Sequence, residues 1–339
     1  MHYLITGGAG FIGSNFIRHL FHHQTDAVIT NLDKLTYCGN PANLAEFSTH
    51  PRYHFIQADI CDYDQVDQAM QDVDIVINFA ADTHVDRSVN FDGAPFIQTD
   101  VYGIYVLLTA MRNHPRITRF HQISTDEVYG DIPVGRYATE RDGLCGSSPY
   151  AASKAGGDLQ ALAFARTYQL PVTISRATNN YGAYQYPEKL IPLFITNALE
   201  SKPLPLYDGG TQIRDWLHVD DHCRAIKLIL DKGIPGEIYN IGANQSPEIT
   251  NLELTRRIIE FTGLSPDQIH PVQGLRPGHD QRYAVDTSKI RSLGWSPRIS
   301  FQDGLYQTIQ WYREHPEWWK PLKSGEFLHY YQKHYRMEL

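Results

Sequence analysis

The feature that most restricts this fold is a glycine-rich stretch at the start of the chain. Gly7, Gly10 and Gly13 follow a short apolar run, His2–Thr6, and open an amphipathic segment, Phe11–His22. This spacing permits a tight strand-to-helix turn in which backbone N–H groups come close to a ligand. The helix N-terminus favours negative charge, so we expect the pyrophosphate of a dinucleotide at this turn. The pattern therefore predicts a βαβ unit with a parallel sheet.

The first half of the chain continues this alternation. The predicted strands are His2–Thr6, Ala27–Asp33, Tyr53–Gln57, Ile75–Phe79, Arg119–Ser124 and Val172–Ala177. The predicted helices are Phe11–His22, Asp64–Gln71, Phe96–Arg112 and Pro149–Tyr168. Alternating strands and helices predict an α/β, Rossmann-like, doubly wound parallel sheet. After about residue 178 the segments shorten and prolines become denser, so we expect a nucleotide-binding domain at 1–178. We expect 179–339 to form mainly a smaller, interleaved substrate domain that returns some segments to the first.

Composition excludes several other classes of protein. With 339 residues, the chain exceeds the roughly 250–300 residues at which single cores tend to split. Its net charge of −8 argues against bulk electrostatic binding to nucleic acid or to an anionic membrane. Four widely separated cysteines show neither a disulfide framework nor metal-ligand spacing. No stretch approaches the roughly 18 apolar residues of a membrane helix. These observations predict a cytoplasmic protein without a metal site.

An acidic residue after the second strand predicts which dinucleotide binds. Asp33 follows Gly13 by twenty residues and ends the second predicted strand. A carboxylate there accepts hydrogen bonds from the adenosine ribose and repels a 2′-phosphate, so NAD is favoured over NADP. Lys34 beside it leaves NADP open. Asp59-Ile60 and Phe79–Ala81 end the next two strands, where a bound dinucleotide would run.

A tyrosine and a lysine one helical turn apart predict a proton-transfer pair. Tyr150 and Lys154 begin a helix announced by Ser148 and Pro149. Side chains four residues apart share a helix face, so the lysine ammonium is expected to lower the pKa of the phenol. Such a phenolate could take a hydroxyl proton near neutral pH.

Two neighbouring acids indicate more than a simple alcohol oxidation. Thr125, Asp126 and Glu127 follow the strand Arg119–Ser124, and ligands of open α/β sheets bind outside the carboxyl ends of the strands. Oxidation of an alcohol needs only the tyrosine and the lysine. The additional acids predict proton removal and delivery elsewhere on the substrate, with one carboxyl protonated and the other ionised.

Together these motifs resemble the extended short-chain dehydrogenase/reductases, and specifically the nucleoside-diphosphate-glucose 4,6-dehydratases of the dTDP-glucose type. The resemblance covers nearly the whole chain. Its segments are Thr6–Gly13, Leu35–Tyr37, Thr83–Ser88, Ser124–Gly130, Tyr150–Lys154, Asn179–Gly182, Tyr186–Pro192, Arg214–Trp216 and Arg276–Asp280. Related epimerases lack the two acids, and related decarboxylases and GDP-mannose dehydratases typically carry Ser at the position of Asp126.

The resemblance implies a hydro-lyase that uses NAD and regenerates it in every cycle. Tyr150 would take the proton of the sugar C4 hydroxyl, with Thr125 hydrogen-bonded to the same oxygen and Lys154 supporting the phenol. Glu127 would remove the C5 hydrogen made acidic by the 4-ketone. Asp126 would protonate the departing C6 hydroxyl. The product would be a 4-keto-6-deoxy sugar nucleotide.

The resemblance also implies binding residues. The NAD site would comprise Gly7, Gly10, Phe11, Ile12, Gly13, Asp33, Lys34, Leu35, Thr36, Asp59, Ile60, Phe79, Ala80, Ala81, Thr99, Tyr150, Lys154 and Asn180. The site for dTDP-glucose or a similar sugar nucleotide would comprise Thr83, Thr125, Asn179, Lys189, Leu190, Pro205, Leu206, Tyr207, Arg214, Asn251, Arg276 and His279. A homodimer would form through helices Phe96–Arg112 and Pro149–Tyr168, whose expected outer faces include Ile97, Ile104, Tyr105, Leu108 and Leu159.

Three alternatives stay open from the residues alone. A UDP-glucose 4,6-dehydratase would differ only in the nucleotide that its substrate carries. A UDP-sugar 4-epimerase or decarboxylase would share the fold, but an epimerase has no use for both Asp126 and Glu127. A non-catalytic NAD sensor would have no reason to keep Tyr150 and Lys154.

Overall fold

The computed structural model describes residues 1–90, 92–274, 278 and 280–335, and strands alternate with helices through most of them. In chain order the strands are β1 His2–Thr6, β2 Val28–Asp33, β3 Tyr53–Gln57, β4 Ile75–Asn78, β5 Arg119–Thr125, β6 Val172–Ala177, β7 Asn179–Tyr181, β8 Leu204–Tyr207, β9 Ile213–Arg214, β10 Trp216–His218, β11 Ile238–Ile241, β12 Ile249–Thr250 and β13 Ile269–Val272. The six strands predicted from the sequence are all present, and their ends agree to within one residue.

Seven strands form one parallel sheet in the order β11-β6-β5-β4-β1-β2-β3. The strand order changes direction at β1: β2 and β3 lie on one side of it, and β4, β5, β6 and β11 lie on the other. This change opens a crevice at the carboxyl ends of β1 and β4. The predicted doubly wound sheet is therefore confirmed. Its edge strand β11 comes from the second half of the chain.

The helices cover both faces of this sheet and build the second half of the molecule. They are α1 Phe11–His23, α2 Tyr63–Ala69, α3 Val85–Asn90, α4 Ala94–Ile97, α5 Ile104–Met111, α6 Pro149–Tyr168, α7 Leu190–Leu199, α8 Val219–Lys232, α9 Asn251–Thr262, α10 Ser288–Ser292, α11 Phe301–Glu314, α12 Pro316–Trp319 and α13 Glu326–Tyr335. Short 3₁₀ turns lie at Pro41–Phe47, Asp126–Tyr129, Asp208–Gly210, Pro266–Gln268 and Pro321–Lys323. The predicted helix Phe96–Arg112 is interrupted by a π-helical turn, Gln98–Gly103, between α4 and α5.

The π turn changes which side chains face outward. Ile104 and Leu108, expected on the outer face, are fully buried in the core beneath the sheet, so that part of the prediction is wrong. Ile97, Tyr105 and Leu159 are exposed, as expected. Hydrogen bonds from i to i+5 widen the turn, and this rotates the following residues relative to a continuous α-helix.

Hydrophobic clusters lie on both faces of the sheet. One packs α2, α5 and α6 against sheet residues such as Leu4 and Phe120. The other packs α1 together with Val219 and Ile226 of α8. Since α8 and β11 both follow residue 178, later segments do return to the sheet, while the boundary at 178 stays a prediction.

The second half has its own cluster around α7, α9 and α11. Three two-stranded sheets accompany it: β7 with β10 in parallel, β8 with β13 in parallel, and β9 with β12 antiparallel. Within the described ranges, no helix has the length and apolar character needed to cross a membrane.

Candidate active site

The glycine turn is packed too tightly for side chains. Gly7 has a φ of +67°, and a Cβ there would lie 2.5 Å from the backbone nitrogen of Ala80. A Cβ at Gly13 would lie 2.5 Å from the carbonyl oxygen of Gly7. Gly10, the N-cap of α1, has no side chain to accept from the first-turn N–H groups. The turn thus forms a backbone cradle for an anion at a helix N-terminus.

Asp33 ends β2 beside this cradle in a fixed orientation. Its carboxylate accepts hydrogen bonds from the backbone N–H of Ala9 at 2.9 Å and of Leu35 at 2.8 Å. Burial raises the pKa of this carboxyl, and the two N–H donors oppose that rise. The Lys34 ammonium lies 2.6 Å from the Asp59 carboxylate. Lys34 is therefore engaged by Asp59, which fits the predicted preference for an unphosphorylated ribose.

One cleft collects nearly all of the residues predicted to hold the dinucleotide. Those lining it are Gly7, Gly10, Phe11, Ile12, Gly13, Asp33, Lys34, Thr36, Asp59, Ile60, Phe79, Ala80, Ala81, Thr99, Tyr150, Lys154 and Asn180. Leu35 is the exception: it contributes its backbone N–H to Asp33 and does not form the wall. A glycine cradle for the pyrophosphate and an oriented carboxylate for the ribose make this cleft fit NAD.

The predicted catalytic triplet lies at the carboxyl end of β5. The strand ends at Thr125, and Asp126–Tyr129 form a 3₁₀ turn. The Thr125 hydroxyl accepts from the backbone N–H of Glu127 at 3.3 Å and donates to Oδ1 of Asp126, also at 3.3 Å. The threonine therefore caps the turn and fixes both acids relative to the sheet.

The two acids have different environments. Asp126 is only 2% exposed, and its Oδ2 atom has no hydrogen-bond partner among the residues that the structure describes. Burial, and then the negative charge of Glu127, raises the pKa of Asp126 well above its ordinary value. Glu127 is partly exposed, and its carboxylate accepts from the Tyr283 hydroxyl at 3.4 Å. Burial thus favours the protonated form of Asp126 beside the more exposed Glu127.

Tyr150 and Lys154 lie in the first turns of α6, as the sequence predicts. The Ser148 side chain caps this helix by accepting from the N–H of Ala151 at 3.1 Å. The sequence predicts a lowered pKa for the Tyr150 phenol, and this part of the prediction is wrong. Burial, followed by the charges of Glu127 and Asp100, raises the pKa of Tyr150 well above its ordinary value.

Lys154 has a hydrogen-bond partner other than the phenol. Its ammonium donates to the carbonyl oxygen of Ile123 at 2.9 Å, and the whole residue is only 4% exposed. The lysine is therefore hydrogen-bonded to strand β5. The desolvation of Tyr150 outweighs the positive charge that the sequence pattern supplies.

A second cleft meets the first at Glu127, Asn179, Asn180, Gln185, Glu188 and Lys189. The predicted substrate residues that line it are Asn179, Lys189, Leu190, Pro205, Leu206, Tyr207, Arg214 and Asn251. Thr83 and Thr125 line the first cleft. Arg276 and His279 lie outside the described residues. The two clefts therefore form one continuous groove past the catalytic triplet.

Two cations lie on the wall of the second cleft. The Lys189 ammonium donates to the carbonyl oxygen of Thr83 at 2.5 Å. The Arg214 guanidinium donates to the carbonyl oxygen of Asp280 at 3.0 Å and lies 4.1 Å from the centre of the Tyr283 ring. Both cations can serve an anionic ligand while the backbone and the ring hold them in place.

Sequence reasoning missed a buried polar cluster next to these clefts. The Tyr37 hydroxyl donates to Glu188 at 2.6 Å, and Arg87 donates to the same carboxylate at 3.3 Å. The guanidinium also lies 3.8 Å from the centre of the Tyr37 ring. All three residues belong to segments that carried the resemblance, but no spacing predicts their contact. The cluster joins helix α3 to two loops that are distant from it in the sequence.

Comparison with known proteins agrees with this geometry. A family model described as GDP-mannose 4,6 dehydratase matches residues 4–308. The dTDP-glucose 4,6-dehydratase of Streptomyces niveus is 50% identical over 331 residues, which are 96% of this chain and 97% of that protein.

Two crystal structures of the same fold differ in how similar their sequences are to this chain. The dTDP-glucose 4,6-dehydratase DesIV of Streptomyces venezuelae, solved with NAD bound, is 48% identical with a TM-score of 0.91, covering 95% of this chain and all of that one. A UDP-glucose 4-epimerase of Thermus thermophilus, complexed with NAD, is 28% identical with a TM-score of 0.85, covering 93% of this chain and all of that one. The shared fold, the matched family model and the higher identity to the dehydratases together show that the chain belongs to the GDP-mannose 4,6-dehydratase family, on the side of the dTDP-glucose 4,6-dehydratases.

Proposed function

We propose that this protein converts dTDP-glucose into dTDP-4-keto-6-deoxyglucose and water, with NAD as a cofactor regenerated within each cycle. The observation that carries the proposal is the pair of acids at the end of β5. Asp126 is buried, which favours its protonated form, whereas the adjacent Glu127 is partly exposed. A reaction that removes one proton and delivers another at neighbouring carbons needs such a pair.

The cofactor site follows from the cradle and the cleft described above. Gly7, Gly10 and Gly13 would hold the pyrophosphate, and Asp33 would hold the adenosine ribose. When bound, NAD accepts a hydride from C4 of the sugar and returns it to C6. Three features support this assignment: the glycine cradle, the Asp33 carboxylate and the family membership.

Tyr150 acts as the base for the C4 hydroxyl in this proposal. The chain's own groups keep the phenol protonated, because burial and nearby carboxylates raise the pKa of Tyr150. The positively charged nicotinamide ring adds to the charge of Lys154 and favours the phenolate. Tyr150 would therefore become a base only when the cofactor is present, which prevents unproductive proton transfer in its absence.

Glu127 and Asp126 then carry out the elimination. The ketone at C4 makes the neighbouring C5 hydrogen acidic, and the Glu127 carboxylate takes it as a proton. Asp126 gives its proton to the C6 oxygen, so the C6–O bond breaks and water leaves. Thr125, hydrogen-bonded to Asp126 and to the backbone of Glu127, keeps both acids in register with the same sugar face. The proton on Glu127 returns to C5 after C6 has been reduced.

The second cleft would bind the nucleotide end of the substrate. Lys189 and Arg214 supply positive charge for a diphosphate, since guanidinium groups match phosphate oxygens in geometry. The strand β8, with Pro205, Leu206 and Tyr207, would form a wall for the base. The experiment below distinguishes a thymidine nucleotide from a uridine nucleotide.

Product analysis with dTDP-glucose and UDP-glucose in parallel tests the proposal. We expect a 4-ketosugar with its alkaline absorbance and the loss of one water, formed faster from dTDP-glucose. Deuterium placed at C4 should reappear in the methyl group at C6. Faster conversion of UDP-glucose would reassign the nucleobase, and a C4 epimer without loss of water would indicate an epimerase instead.

Two further parts of the proposal concern the protein in the cell. We propose a homodimer through α4 to α6, supported by the exposed side chains of Ile97, Tyr102, Tyr105 and Leu159 on these helices. Sedimentation should give twice the chain mass, and Leu159→Lys should shift it toward the monomer. We also propose a cytoplasmic location, supported by the four free cysteine thiols.

A further inference from the structure

The helix α13 lies against the second cleft with two of its faces in use. Phe327, Tyr331 and Tyr335 are spaced by four residues, share one face and pack into the hydrophobic cluster of the second half. The neighbouring face carries Tyr330 and His334, whose rings stack with their centres 5.3 Å apart. Both of these residues are buried. Packing into the cluster accounts for the first face, and the second face brings polar groups to the cleft.

His334 joins α13 to two other elements at this cleft. Its Nε2 atom lies 2.6 Å from the hydroxyl oxygen of Tyr207 in β8 and 3.5 Å from Oδ2 of Asp86 in α3. The Tyr207 hydroxyl donates to the same oxygen of Asp86 at 3.3 Å. The side chains of His334 and Asp86 are each only 3% exposed. Three elements that are distant in the sequence therefore meet at one phenol.

One placement of the protons satisfies all three groups. A phenol has a single proton to donate, and a carboxylate can only accept. With the proton of Tyr207 directed at Asp86, the phenol oxygen accepts from the Nε2–H of His334. The Tyr207 hydroxyl is then held from two sides, which fixes the position of its ring.

A second set of contacts holds α13 in place one helical turn earlier. The Tyr330 hydroxyl lies 3.5 Å from Nδ1 of His84, just before α3. The guanidinium of Arg87, within α3, lies 4.8 Å from the centre of the Tyr330 ring and donates to Glu188. Because α13 is attached to α3 at two consecutive turns, the fold itself determines where the imidazole of His334 lies.

These contacts place the cluster on the wall of the cleft assigned to the nucleotide. Tyr207, Tyr335 and Asp86 all line this cleft, as does the cation Arg214. Asp126, by contrast, lines the first cleft, where the sugar would react. A residue that acts on Tyr207 should therefore influence binding of the nucleotide more than the chemistry at the sugar carbons.

We propose that His334 is a positioning residue for the nucleotide end of the substrate: with Asp86 it fixes the Tyr207 ring as part of the wall against which that nucleotide binds. This inference rests on the proposed dehydratase function, which assigns the nucleotide to the second cleft. A Tyr207 ring without this support has to be ordered when the nucleotide binds, and ordering a side chain weakens binding. Since the wall contacts substrate and transition state alike, its loss raises KM and leaves kcat nearly unchanged.

The variant His334→Phe removes the hydrogen bond to Tyr207 and keeps an aromatic ring. We expect about a tenfold rise in KM for dTDP-glucose and in Kd for thymidine diphosphate, with kcat within about twofold of wild type. Calorimetry on the NAD-loaded protein measures the Kd. His334→Gln should restore most of the affinity, because its amide can donate to Tyr207 from the position of Nε2. Gln332→Ala, a control at an exposed position of the same helix, should leave both constants unchanged.

Tyr207→Phe tests the same contact from the other side. It should weaken binding of thymidine diphosphate by a similar factor. The double variant with His334→Phe should bind no more weakly than the weaker single variant, because both changes remove one interaction. Additive losses, equal losses in His334→Phe and His334→Gln, or a fall in kcat at unchanged KM would refute the proposal.

Circular dichroism and the thermal midpoint of each variant establish that it folds. A folded Tyr207→Phe with wild-type affinity also refutes the proposal, so the test does not depend on the folding of His334→Phe.

Binding of thymidine diphosphate requires no turnover, which separates this proposal from the proposed reaction. If the wild-type protein binds thymidine diphosphate but forms no 4-ketosugar, the proposed reaction fails, while the affinities of the variants still decide the role of His334. A wild-type protein that binds neither thymidine diphosphate nor uridine diphosphate refutes both.

Discussion

Asp126→Asn separates the acid function of Asp126 from its shape. Asparagine has nearly the same size, and its Oδ1 can still accept from the Thr125 hydroxyl, which donates to Asp126 at 3.3 Å. It cannot release a proton to the departing C6 oxygen. A positioned general acid contributes about 10²- to 10⁴-fold to a rate. We therefore expect C6–O cleavage to slow by about that factor, equivalent to about 3–5 kcal/mol in the barrier.

The same substitution should increase stability at neutral pH. Burial and the Glu127 charge raise the pKa of Asp126 in the folded protein, whereas the unfolded chain ionises near its ordinary value of about 3.9. The folded state thus binds more protons, and its free energy of unfolding falls as pH rises above about 4. Asparagine removes this loss. Urea unfolding should show Asp126→Asn to be more stable than wild type at pH 7, with the difference vanishing toward pH 4 and below.

The assay compares dTDP-glucose with its 6-deoxy-6-fluoro analogue by rapid quenching. Fluoride needs less protonation to leave, so the ratio of wild-type to Asp126→Asn rates should be much smaller with the analogue. As a control, C4 oxidation in Asp126→Asn should keep nearly its wild-type rate. Equal slowing with both substrates, or a loss of stability at pH 7, would show that Asp126 is not the protonated acid.

Three further substitutions address the other parts of the site. Tyr150→Phe should abolish sugar oxidation while NAD stays bound, as measured by nicotinamide absorbance and by cofactor content; undiminished turnover would remove the phenol from the mechanism. Glu127→Gln should still accumulate reduced cofactor on the enzyme yet release little product, and rapid product release would assign the C5 proton to another base. Gly13→Ala places a Cβ 2.5 Å from the oxygen of Gly7 and should lower NAD affinity at least tenfold in a titration, whereas unchanged affinity would disprove the tight cradle.

Much of the site could be predicted because its parts are local. The glycine turn, the carboxylate ending β2, the triplet ending β5 and the Tyr–Lys pair opening α6 each lie within one short segment. In a parallel sheet the carboxyl ends of neighbouring strands meet at one edge, so these segments had to converge. The cleft that collects 17 of the 18 predicted cofactor residues follows from that rule.

The π turn could not be predicted from the sequence pattern. The apolar spacing of Phe96–Arg112 predicts a regular helix, and regular spacing assigns Ile104 to the outer face. The extra residue in the turn is accommodated against the glycines of α6, which is a contact between segments about fifty residues apart. The hydrogen bond from Arg87 to Glu188 could not be predicted either, because it also joins distant segments.

The sequence by itself determined the sheet, the dinucleotide turn and the identity of the reacting groups. Each of these depends on backbone geometry and strand direction, which residues close together in the sequence determine. Only the tertiary structure decided their protonation. Lys154 is bonded to Ile123, the phenol of Tyr150 is desolvated, and Asp126 is buried against Glu127. Ionisation depends on burial and on charges supplied by distant segments, and those exist only once the chain has folded.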